Sequence, residues 1–174
     1  MGSPADDLAR WMPRLGAAWR APRRPRGAGA RRRGHAPAFG RGSAGQGATG
    51  GLAADELREV SAAVRRLSLG LTRDRRLAGA RYLDDERMLG AYLLFYWPVS
   101  YLQARGVLSE LPRRPRSALD LGSGPGPVAF AAMDAGAAEV VAADRSGGAL
   151  AVVRELAAAA GEPLSTRTWD PERL

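Results

Sequence analysis

Residues 117 to 126 read Ser117-Ala118-Leu119-Asp120-Leu121-Gly122-Ser123-Gly124-Pro125-Gly126. A short apolar run carries an acid near its end and passes into three alternating glycines. Pro127 then opens an alanine-rich stretch that reads as a helix to Ala135, with Gly136 placed to close it in the left-handed conformation. Strand, glycine turn and helix in that order make a nucleotide site. Glycines leave backbone N–H groups open to a ligand, and a helix N-terminus adds a favourable field for polar groups.

The chain downstream extends the same pattern. Glu139 to Ala143 reads as a second strand and ends at Asp144, 22 residues beyond Gly122. An acid near that offset sits at a strand tip and accepts hydrogen bonds from ribose hydroxyls. Capping is the other reading of Asp144, because Ser146 and a new helix follow directly. Residues 148 to 160 read as that helix, ended by Gly161 and Pro163. Leu164 to Trp169 alternates as a third strand would, and Asp170 follows it, within reach of an adenine amino group.

Two phosphate-binding signatures fail. The dinucleotide pattern G-x-G-x-x-G needs a glycine at 127, where this chain has proline, and the phosphate loop needs a lysine, which the chain lacks altogether. What remains, Asp120-x-Gly122-x-Gly124-x-Gly126, resembles the first motif of S-adenosylmethionine-dependent methyltransferases of the Rossmann-like class. The resemblance implies S-adenosylmethionine as cofactor, held by Asp120, Gly122, Ser123, Gly124, Gly126, Asp144 and Asp170. In it Asp144 holds the ribose, and Asp120 lies near the methionine end or orients the turn. Pro127 argues against the competing reading, a nicotinamide-binding oxidoreductase fragment.

Upstream, residues 1 to 51 are low in complexity and read as a disordered basic tail that buries too little apolar surface to offset its chain entropy. The tail carries ten arginines and two acids, a net of +8, while residues 51 to 174 carry sixteen of each sign. The basic balance therefore belongs to the tail, either as an arm for RNA phosphates or as a solvated extension. Residues 52 to 116 read as a helical region. Leu57, Val60, Val64 and Leu67 share one helical face between 53 and 69, with Gly70 as the stop. Arg73, Arg75, Arg76 and Arg81 form a candidate RNA-facing patch beside Asp74 and the acids at 84 to 86. A helix capped at Asp84 or Asp85 runs to about Tyr96 and is apolar on all faces, hence buried. Trp97 precedes a proline and is biased away from helix, so Pro98 starts a new one to about Glu110. Tyr92, Tyr96, Trp97 and Tyr101 read as core in preference to a stacking platform.

Composition excludes several classes. There is no cysteine, so disulfides and thiolate metal sites are out, and the single histidine, His35, lies in the tail, so a metal site would have to be built from carboxylates alone and is not expected. The longest apolar run, Leu89 to Leu102, is 14 residues and interrupted by Pro98. A membrane span needs about 20. A cytoplasmic protein is expected.

Two stretches together point to one family. Leu77-Ala-Gly-Ala-Arg-Tyr-Leu83 and Ala91-Tyr-Leu-Leu-Phe-Tyr-Trp-Pro-Val-Ser-Tyr101 precede the glycine motif and its ribose acid. The combination resembles the methyltransferase-like family of mitochondrial small-ribosomal-subunit proteins, in its bacterial branch, over roughly residues 53 to 170. The family implies a Rossmann-like domain at 117–174 that binds S-adenosylmethionine. It also implies association with the small ribosomal subunit or its rRNA, with rRNA methylation as the presumed activity. A non-catalytic role in ribosome assembly and translation on the same scaffold is the alternative. Members carry cysteines for an iron–sulfur cluster or metal, which this chain lacks. The expected fold is α/β: N-terminal helices, then the first part of a Rossmann-like methyltransferase sheet. With three of about seven strands, the chain reads as the front part of a longer protein, and no turnover is expected of these residues alone.

Overall fold

The computed structural model describes residues 3–21, 52–73 and 82–171. The chain is mixed α/β. Helices α1 (Pro4–Arg20), α2 (Ala54–Ser68), α3 (Glu86–Ala91) and α4 (Trp97–Ser109) precede an alternation of β1 (Ser117–Leu121), α5 (Pro127–Asp134), β2 (Glu139–Asp144), α6 (Gly147–Ala160) and β3 (Leu164–Thr168). The strands form one parallel sheet in the order β1-β2-β3. Leu121 pairs with Ala143, and Asp144 with Thr168, so the three strand tips end side by side.

The core follows from the pleat. Val140 and Ala142 of β2, with Ala118 and Leu164 beside them, pack against Ala129, Phe130, Val153 and Leu156 of α5 and α6. The alternate residues of β1 point the other way, and Leu119 and Leu121 are 61% and 54% exposed. Helix α4 lies over α5, with Trp97 and Tyr101 fully buried one turn apart and stacked at 5.3 Å.

Two departures from the sequence expectation concern the N-terminal half. Residues 4–20, expected within a disordered tail, are a helix. Ser3 caps it, accepting from the Asp6 N–H while the Asp6 carboxylate accepts from the Ser3 N–H, a reciprocal capping box. Trp11, Leu15 and Ala18 lie on one face, and Trp11 sits 4.5 Å from Phe130, ring to ring. Apolar residues at helical spacing outweigh the arginines between them. The remainder of the expected tail, 22–51 with His35, lies outside the described residues, as do Arg75, Arg76 and Arg81.

The second departure is at Pro98. The expected break is instead a continuous helix from Glu86 to Ser109, with one wide π-helical turn at Tyr92–Tyr96. The Trp97 N–H donates to the Tyr92 carbonyl, five residues back. The wider turn absorbs the ring that would clash with the carbonyl of the preceding turn and the N–H that proline does not have. A similar wide turn, Leu69–Arg73, carries α2 past the expected stop at Gly70. On α2, Val60, Ala63 and Leu67 are buried while Leu57 is 54% exposed, so the apolar face is rotated from the expected one. Among the described residues no helix is long and apolar enough to cross a membrane.

Candidate functional site

The site lies at the tips of β1 and β2, where the glycine turn crosses from strand to helix. Gly122, Gly124 and Gly126 all have positive φ, at 72°, 53° and 80°. That conformation costs a side-chain-bearing residue about 1–2 kcal/mol. Gly124 is further constrained by Leu83, whose Cδ1 lies 3.2 Å from where a Cβ would be. Trp97 steadies the turn from beneath, donating from Nε1 to the Pro125 carbonyl at 3.0 Å.

Asp144 is 7% exposed at the tip of β2 and is held from both sides. Its Oδ2 accepts from the Gly124 N–H at 2.8 Å, and its Oδ1 from the Ser146 N–H at 2.7 Å. The α6 cap is Ser146, whose hydroxyl accepts from the Ala149 N–H. Asp144 thus ties the glycine turn to the start of α6. Each oxygen keeps a further lone pair.

Asp120 takes a different place. Its Oδ2 accepts from the Ala129 N–H in the first turn of α5, at 3.0 Å. Burial raises its carboxyl to about 6, against the pull of that hydrogen bond, and the nearby Asp144 adds to the rise. Asp120 thus ties the end of β1 to the first turn of α5.

These bonds account for the turn's donors. The Gly122 and Ser123 N–H groups donate to the Ala143 carbonyl, Gly124 donates to Asp144, and Gly126 donates to the Ser123 carbonyl. The sequence reading left these N–H groups open to a ligand; in the structure the protein's own acceptors hold them. The Ala129 N–H at the helix N-terminus is likewise taken, by Asp120.

A cleft of about 210 Å³ opens beside the turn, lined by Tyr82, Leu83, Tyr92, Gly122, Gly124, Asp144, Arg145 and Ser146. One wall is phenolic. Burial raises the Tyr82 hydroxyl to about 12 and also raises that of Tyr92, so both stay protonated at neutral pH and keep an O–H. Ser123 and Gly126 are buried within the turn, and Asp170 follows β3 without lining the cleft. Of the four aromatics read as core, Trp97 and Tyr101 are core and Tyr92 lines the cleft. Sequence reasoning missed Tyr82 and Leu83. Their signal was their place just before the α3 cap at Asp85. No protein-family model, no curated protein and no solved structure matches this chain.

Proposed function

We propose that residues 117–174 form a Rossmann-like methyltransferase unit and that its cleft takes the nucleoside of S-adenosylmethionine. The observation that carries this reading is the closed set of donors at the turn. A phosphate bound at such a place needs free N–H groups at the turn and an open helix N-terminus. Here Asp120 occupies the helix N-terminus with its own carboxylate, and Asp144 takes the Gly124 N–H. Two carboxylates repel a pyrophosphate and leave acceptors for hydroxyl groups, so a cofactor without phosphate at the turn fits and a dinucleotide does not.

The donor set fits a nucleoside. Asp144 keeps lone pairs toward the cleft for ribose hydroxyls, and Tyr82 and Tyr92 give an amphipathic wall for a planar base. Bound there, S-adenosylmethionine supplies an activated methyl group; this chain's residues hold its ribose and exclude water from the aromatic side. Association with the small ribosomal subunit, with rRNA as methyl acceptor and a cytoplasmic setting, rests on the resemblance of residues 77–108 and 118–144 to the small-subunit family. Titration calorimetry with S-adenosylhomocysteine and with NAD tests the cofactor. The expected outcome is binding of the first and not the second; binding of NAD, or of neither, overturns the reading.

A further inference from the structure

Helix α4 is buried on one side and apolar on the other. Leu93, Trp97, Tyr101 and Arg105, four residues apart, form the side packed into the core. On the opposite side Phe95, Val99 and Leu102 are 50%, 47% and 39% exposed, and the exposed Gly106 continues their line. Spacings of four, three and four residues make one stripe of a helix, with Phe95 in the wide turn just ahead of α4. The stripe carries no charge. Arg105 is the single charged residue between Met88 and Ser109, and it is buried with its guanidinium on Asp7. A helix face that meets only water carries polar and charged residues, whereas an exposed apolar face without charge marks the core of an interface.

The sizes along the stripe are self-complementary. Phe95 and Gly106 lie equally far from the midpoint between Ser100 and Tyr101, and so do Val99 and Leu102. Two copies laid antiparallel about a twofold axis at that midpoint set Phe95 of each over Gly106 of the other, and Val99 against Leu102. Gly106 is a hole for the ring, because a Cβ there would meet nothing within 4 Å. The charges at the two ends agree with the antiparallel arrangement. Asp84, Asp85 and Glu86 stand before the helical stretch, Arg113, Arg114 and Arg116 follow it, and all six are exposed. Antiparallel pairing brings the acidic end of each copy to the basic end of the other; parallel pairing would set like charges together.

We propose that the outer face of α4 docks a second copy of this chain, in an antiparallel twofold pairing through Phe95, Val99, Leu102 and Gly106. The stripe spans about 17 Å of helix. A contact of that length falls among interfaces under about 1,200 Å² in total, so the dimer is reversible, with Kd on the order of 10–100 µM. The pairing is independent of the cofactor reading.

Sedimentation equilibrium of the full chain from about 5 to 300 µM tests it, with a monomer–dimer equilibrium as the expected result. Phe95→Ala removes the knob and Gly106→Phe sets ring against ring, so each weakens dimerisation at least about tenfold. Gly106→Phe does not lower the thermal melt of the monomer, because the new side chain replaces a helix-interior glycine and starts into open space. Combining Phe95→Ala with Gly106→Phe exchanges knob and hole and returns Kd to within about threefold of wild type. A stripe that served only the folding of the single chain would give no such rescue. A wild-type chain that stays monomeric throughout overturns the proposal, and a lowered melt in Phe95→Ala would then assign the stripe to another segment of the same chain. Single variants that dimerise as the wild type does also overturn it, since association would then run through another surface, such as Leu119 and Leu121 of β1. A double variant no better than the single ones overturns the twofold pairing of α4.

Discussion

Replacing Asp120 with asparagine tests the arrangement at the start of α5. Asp120 is an acid whose folded value, about 6, lies above its ordinary 3.8 because burial disfavours the charge. The folded state therefore binds the proton more tightly than the unfolded state between about pH 4 and pH 6. Stability contributed by this group rises as pH falls through that window and is lower at pH 7 and above. The difference corresponds to about 3 kcal/mol. Asparagine matches the carboxylate in shape and keeps an oxygen for the Ala129 N–H, but carries no charge. Asp120→Asn is thus expected to gain stability at pH 7.5, approaching that same figure of about 3 kcal/mol, and to lose the part of the pH dependence that belongs to this carboxyl. Urea unfolding followed by tryptophan fluorescence at pH 5 and pH 7.5 measures both. Parallel pH profiles for wild type and variant would refute the reasoning, as would a variant less stable than wild type at pH 7.5.

The other predictions concern the joints of the fold. Trp11→Ala removes a fully buried ring and its bond to Asp134, and urea unfolding is expected to show a loss of about 3–5 kcal/mol. A loss under about 1 kcal/mol would mean that α1 does not dock. Tyr101→Phe removes a 2.5 Å bond to Asp134 and lowers stability by about 1–2 kcal/mol in the same assay, with the cooperative transition retained. Gly124→Val forces a side chain into a positive φ and against Leu83. It weakens S-adenosylhomocysteine binding at least about tenfold by calorimetry, while a thermal melt stays cooperative.

The sheet was legible because its signals are local. A strand ending in Asp120, glycines at 122, 124 and 126, and a second acid 22 residues on each constrain a few neighbouring residues. The N-terminal helix was hidden by averaging. Ten arginines set the composition of residues 1 to 50, yet Leu8, Trp11, Leu15 and Ala18 repeat at helical spacing behind a Ser3-x-x-Asp6 cap. Pro98 misled for the opposite reason. The bias before proline is a local rule, and the burial of Trp97 and Tyr101 outweighs it by widening the preceding turn. The ownership of the turn's N–H groups was not legible. It depends on Asp120 and Asp144 folding back onto residues 9 and 20 positions away.

Helix α5 joins these observations. It is eight residues long and apolar on most sides; besides Pro127 and Gly136, its ends need polar groups to hold them in place. Two carboxylates do so. Asp120 holds the N-terminus, where the helix dipole favours a negative charge. Asp134 stands at the C-terminus, where the dipole disfavours it, and is held there by three donors: Arg10, Trp11 Nε1 at 2.8 Å and the Tyr101 hydroxyl at 2.5 Å. Those donors come from α1 and α4, which have no place in a strand–helix alternation. The N-terminal helices therefore act on the site through α5: α1 and α4 fix its far end, Trp97 fixes Pro125 in the turn, and Asp120 fixes its near end. Loosening Asp134 should shift the turn that Asp144 grips, although Asp134 itself does not line the cleft.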